Sequence, residues 1–127
     1  MTDNVQTPAV KTLSFPYRRA SAGGRDDTII ISLATKKLLS SLLKGSGRHG
    51  TRNYLVAPGR YIIYQVWRSN RGSLGWVVKL ITVGQDGNTI LTEEMYGPLE
   101  RHLPQWLMDI LAANRDSLPL FSEVFPL

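Results

Sequence analysis

The chain has no cysteine in its 127 residues, so disulfides and thiolate-held metals are excluded. Its two histidines, His49 and His102, lie far apart without a ligand-spaced neighbour, and no metal site is expected. No apolar run approaches the ~20 residues of a membrane helix. The opening MTDNVQTPAV has neither a basic start nor an apolar centre, so no secretory signal is expected and the default location is the cytoplasm.

Catalytic signatures are missing as well. No serine sits in a Gly-x-Ser-x-Gly elbow and no Gly-x-Gly-x-x-Gly follows a strand pattern. The glycine-rich stretch 45–53, GSGRHGTRN, follows a helical pattern and lacks the Lys-Ser/Thr that opens a helix onto phosphate. Glu93 and Glu94 are adjacent in a strand pattern and point to opposite faces, while Asp26-Asp27 reads as a turn or cap. The expectation is a binding protein and not an enzyme, without cofactor.

Acidic residues are the most unevenly distributed. None occurs between Asp27 and Asp86. Residues 1–79 carry 13 Lys/Arg against 3 Asp/Glu, a net of +10, and residues 80–127 carry 2 against 7, a net of −5. Such segregation points to a positive surface for an anionic partner, or to two halves that neutralise each other across a fold or dimer.

What is present centres on residues 60–83. Tyr61–Trp67 and Trp76–Val83 are rich in β-branched and aromatic residues and read as two strands. The basic, Gly-containing stretch 69–75 joins them and is long enough to project as an arm. Period two sets Tyr61, Ile63, Gln65 and Trp67 on one face. If the register brings Lys79 to that face, the rings and polar groups form a stacking platform of the kind single strands use.

Elsewhere, Lys11–Arg19 reads as an edge strand, since Pro16 removes a ladder donor. Residues 28–33 read as a brief buried strand or the lead into a helix, and 54–56 as the start of a short strand. ATKKLLSSLLK, residues 34–44, spaces Leu38, Leu39, Leu42 and Leu43 for a helix that Ser32 or Thr35 caps and Gly45 ends. Gly84–Gly87 is a turn leading to a strand at 88–94. Leu103, Trp106, Leu107, Ile110 and Leu111 predict a second helix at about 104–114, preceded by a turn at 98–103. The apolar 118–127 segment either packs back or marks a self-association surface.

The predicted fold is α+β: an antiparallel sheet of about four strands with two amphipathic helices packed on one face, the other face or the hairpin loop left free. Residues 1–10 are expected to form a flexible tail and 11–127 a single domain.

The run Tyr64-Gln65-Val66-Trp67-Arg68-Ser69-Asn70-Arg71-Gly72, followed by strands and a helix, resembles a PUR repeat. That resemblance, over about 50 residues, implies a four-stranded sheet backed by a helix and binding of single-stranded nucleic acid. The chain departs from the PUR pattern in the leucine-rich segment before the hairpin and in the order of residues after Gly72.

The function expected is a small basic protein that binds nucleic acid, single-stranded DNA or RNA foremost. Arg48, Arg52, Arg60, Arg68, Arg71 and Lys79 would meet phosphates, with Tyr61 and Trp67 stacking on bases. The alternative is a protein-interaction module, a regulator, inhibitor or adaptor. It would use a sheet edge or the apolar C-terminus against an acidic protein surface or as a homo-oligomer.

Overall fold

The structure, a computed structural model, describes residues 10–18, 25–41, 49–69, 71–96 and 103–125. Seven strands dominate it: β1 Lys11–Arg18, β2 Arg25–Ser32, β3 Lys37–Leu38, β4 His49–Val56, β5 Gly59–Arg68, β6 Leu74–Val83 and β7 Thr89–Tyr96. Two short helices follow, α1 Gln105–Ala113 and α2 Pro119–Val124, with a 3-10 turn at Arg115–Ser117 between them. A five-stranded antiparallel sheet runs in the order β3-β2-β5-β6-β7, and β1 pairs with β4 as a separate two-stranded ribbon.

Both faces of the sheet are apolar, and each is covered. On one face Ile29, Ile31, Tyr64, Val66 and Val78 pack against Leu107 and Leu111 of α1 and Leu120, Phe121 and Phe125 of the C-terminal segment. On the other, Ile30, Tyr61, Ile63, Ile81 and Val83 pack against Leu13, Tyr54 and Val56 of the ribbon. The period of two in a strand thus feeds two cores at once: Ile29 and Ile31 go one way and Ile30 the other. This corrects the four-stranded sheet with two helices on one face, and it removes the free face. The layers are ribbon, sheet and helices.

The helix expected at 34–44 is overturned for the same reason. Ser32 does cap, its Oγ accepting the Thr35 N–H at 3.2 Å, but only a turn follows. Lys36 takes a left-handed φ of 55°, which a helix cannot continue through. The chain reverses into the two-residue β3, and Leu39 N–H donates to Ile30 C=O at 2.9 Å. Extended backbone sends Leu38 to the helix-side core and Leu39 to the ribbon-side core. A helix would have put both on one stripe. Residues 42–44, Gly45 and the turn expected at 98–103 up to residue 102 lie outside the described residues, as does the 1–9 part of the predicted tail.

Strand β5 starts at a corner. Gly59 has φ 156°, a value L side chains avoid, and the Tyr61 hydroxyl donates to Ala57 C=O at 2.6 Å. That corner carries the chain from the ribbon into the sheet. Near the other end of the fold, α2 has no side-chain cap of its own. Buried Asp27 on β2 supplies one: its Oδ2 accepts the Leu120 N–H at 3.1 Å, meeting one of the orphan donors of a helix start.

The apolar C-terminus packs back. Tyr64 meets Phe121 and Phe125 edge to face, with centroids 6.2 and 5.4 Å apart, and Trp76 meets Phe125 at 5.6 Å. Both phenylalanines are fully buried, so these rings are committed to the core and not to self-association. Among the described residues no helix is long and apolar enough to cross a membrane.

Two outcomes follow from this packing. Phe121→Ala empties a site with no room for solvent and should cost about 3–5 kcal/mol, seen as a lowered urea midpoint; a loss under ~1 kcal/mol would mean the helix layer is dispensable. Burial also holds the phenols of Tyr64, Tyr54 and Tyr61 above their ordinary value of 10.0. The unfolded chain releases these protons first, so their contribution is complete below about pH 10 and declines as pH rises further. Urea midpoints from about pH 9 to pH 11 should fall, and fall less in Tyr64→Phe.

Candidate nucleic-acid interface at the hairpin end

The β5–β6 register pairs Trp67 with Gly75, Gln65 with Val77, Ile63 with Lys79 and Tyr61 with Ile81. Gln65, Lys79, Tyr61 and Trp67 therefore do share one face, the ribbon side. The ribbon then divides that face into a covered part and an open part. Tyr61 falls under it, buried, with its hydroxyl spent on Ala57. It is a core residue, which removes it as a stacking group. Trp67 lies beyond the ribbon and stays 39% exposed.

Trp67 is held flat by its cross-strand partner. A Cβ built on Gly75 would lie 2.5 Å from Cε2 and Cζ2 of the indole, so the ring rests on a strip of backbone that only glycine leaves bare. Next to it is a cleft of about 220 Å³ lined by Pro16, Asp27, Thr28, Gln65, Val66 and Trp67. That volume is below the ~300 Å³ at which enclosed small-molecule sites begin.

The loop beyond is compact and is not an arm. Ser69 N–H donates to Ser73 C=O at 2.9 Å and Gly72 N–H to Ser69 C=O at 3.0 Å, while Ser69 Oγ accepts the N–H groups of Arg71 and Ser73. Arg68 donates to Gly72 C=O at 2.8 Å and forms an ion pair with Glu123 of α2. Its charge is thus already answered by a carboxylate of the acidic C-terminal part, which corrects its assignment as a free phosphate contact. Arg71 is exposed at the tip with no carboxylate paired to it among the described residues.

The other predicted cations scatter. Arg60 is exposed at the start of β5, the far end of the strand from Trp67. Lys79 is half-buried in mid-strand, with Glu94 as its Cα partner on β7. Arg52 is on the inner side of the ribbon, its guanidinium 5.2 Å over the Tyr17 ring. Arg48 lies outside the described residues. The structure therefore places Trp67, Arg68 and Arg71 at one end of the hairpin, Trp67 on the ribbon side and Arg68 turned to the helix side, and separates Arg52, Arg60, Tyr61 and Lys79 from them. In the backbone register, Arg25 is the Cα partner of Arg68 and Asp26 that of Trp67.

Gln65 was already placed on the platform face by period two, whereas Thr28, Pro16 and Gly75 were not singled out as site residues. Gly75 alone left a signal, as a glycine in a strand near a tryptophan; the rest needed the ribbon in place. Among the described residues no three of His, Asp or Glu come together to hold a metal ion.

No family model matches the chain, and no curated protein matches it. Two solved structures share the fold. The structure of ORF157 from Acidianus filamentous Virus 1 aligns with a TM-score of 0.58 at 13% identity, over 80% of this chain and 75% of that one. The crystal structure of an engineered protein from the Northeast Structural Genomics Consortium aligns with a TM-score of 0.56 at 16% identity, over 80% and 73%. At these identities the likeness is one of fold alone.

Gly75→Ala tests the platform directly. The added methyl must lift the indole, so tryptophan emission should shift to the red and the Trp67 side-chain resonances should move. An unchanged spectrum would show that the ring does not rest on Gly75.

Proposed function

We propose that the hairpin end binds single-stranded nucleic acid, with one base stacked on Trp67. The observation that carries this reading is the exposed indole laid flat on Gly75 at the mouth of a cleft too small for a whole ligand. A base stacks on the ring in any sequence context, and the Gln65 amide and Thr28 hydroxyl at the cleft wall offer donors and acceptors to its edge. Arg71, exposed at the tip, attracts the backbone.

Charge plays the smaller part. Arg68 is already paired to Glu123, so few phosphates are neutralised and the salt slope is shallow, at about −0.7 per phosphate for single strands. Stacking, at about 1–3 kcal/mol per base, supplies more. A duplex keeps its bases inside and is the poorer ligand.

The rival reading, a protein-interaction module using a sheet edge, has β7 as its strongest feature, with Ile90 exposed. A register irregularity opposite Leu80/Ile81 and the exposed Glu93 and Glu94 on that strand are devices that discourage strand addition, so the hairpin end is favoured.

Anisotropy titrations with labelled oligo(dT), oligo(rU) and a duplex, at about 50 and 200 mM salt, test the proposal. Trp67→Ala should weaken single-strand binding by about 1–3 kcal/mol with the salt slope kept, and Arg71→Ala should cut the slope by about 0.7. Equal affinity for duplex, or binding unaffected by Trp67→Ala, would reject it.

A further inference from the structure

A second cleft, of about 350 Å³, opens on the outer edge of β2. It exists because β3 pairs with only Ile31 and Ser32, leaving the first part of β2 without a strand on that side. Arg52, Tyr54, Ser40 and Ser41 line it together with the apolar Leu39 and Leu118. Its volume lies at the small end of the range for small-molecule sites, about 300–1,000 Å³.

Arg52 is the unusual member. It is half-buried and sits above the buried Tyr17 ring. Its guanidinium also reaches the Tyr54 hydroxyl, whose own proton goes to Thr28 C=O at 3.1 Å. Every one of these partners is neutral, and no carboxylate pairs with Arg52 among the described residues. A partly desolvated cation held by a ring and a phenol is oriented, yet its charge is unanswered.

We propose that this cleft binds a small organic carboxylate with an apolar body, of the medium-chain acid class. The planar fork of Arg52 takes the carboxylate through two parallel N–H···O bonds, the Ser40 and Ser41 hydroxyls donate to the remaining lone pairs, and Leu39 and Leu118 cover the chain. A phosphate group is disfavoured, since no second cation lines the cleft among the described residues. A polynucleotide is disfavoured as well. Between the terminal pairs of the ribbon, Lys11 with Val56 and Arg18 with His49, its outer-side residues Thr12, Ser14, Pro16, Thr51, Asn53 and Leu55 carry no charge to lead a strand from Trp67 to Arg52.

Calorimetry and amide NMR on the full chain with octanoate, octanol and inorganic phosphate test this. Octanoate should bind and shift the amides of Ser40, Ser41 and Asn114, while octanol and phosphate each bind far more weakly. Arg52→Gln should weaken octanoate about tenfold to a hundredfold, the range of a charge-assisted contact, and Arg52→Lys should recover part of it. Octanol binding as tightly as octanoate, phosphate matching octanoate, shifts confined to other residues, or unchanged affinity in Arg52→Gln would each overturn the proposal. Oligo(dT) affinity in Arg52→Gln should stay at the wild-type value, so the outcome at this cleft stands apart from the outcome at Trp67.

Discussion

Strands β2 and β5 are buried on both sides, and the rest of the molecule answers that demand. Ile29, Ile30 and Ile31 alternate between two cores, as do Ile63 and Tyr64 directly across from them. Each face has to be removed from water, at roughly 25 cal/mol per Å² of apolar surface. One sheet with a single helical layer would leave Ile30, Ile63, Ile81 and Val83 wet. The ribbon of β1 and β4 exists to cover them, and the C-terminal helices cover the opposite side.

From that constraint both candidate sites arise at the borders of the cover. The ribbon is narrower and shorter than the sheet beneath it. Where it stops, Trp67 emerges over Gly75 and a cleft is left against Pro16. Where it overhangs the β2 edge, Arg52 is carried above a second cleft that the two-residue β3 does not fill. Thr28 lines both, which shows that they flank the same short length of β2. The hairpin-end site does not depend on a long loop, since its turn is tied down by Ser69.

The distribution of charge has a related explanation. Among the described residues, a cation before residue 80 meets a carboxylate after it where Arg68 pairs with Glu123. An exposed pair of this kind is worth little in stability, but it takes one cation out of reach of a ligand. Arg52 is drawn inward by Tyr17, and Arg60 stands at the far end of β5. The described cations of the acid-free stretch therefore do not form one positive face, because alternation along each strand and the turns between strands disperse them.

Local sequence determined a good deal. The β5–β6 hairpin, the Gly84–Gly87 turn, the Pro16 strand and a helix near 104–114 were all legible, since turn chemistry and periodicity act between near neighbours. The register of Trp67 and Lys79 on one face was one of two choices that period two allows. Tertiary structure alone decided the others. Leu38 and Leu39 satisfy a helical stripe on paper, and only a sheet apolar on both faces makes splitting them between two cores the better solution. Whether Tyr61 was a platform or a core ring, and whether Arg68 was free or paired, rested on elements distant in the chain. Burial and ion pairing are set by what packs on top, and a strand's own residues do not encode its lid.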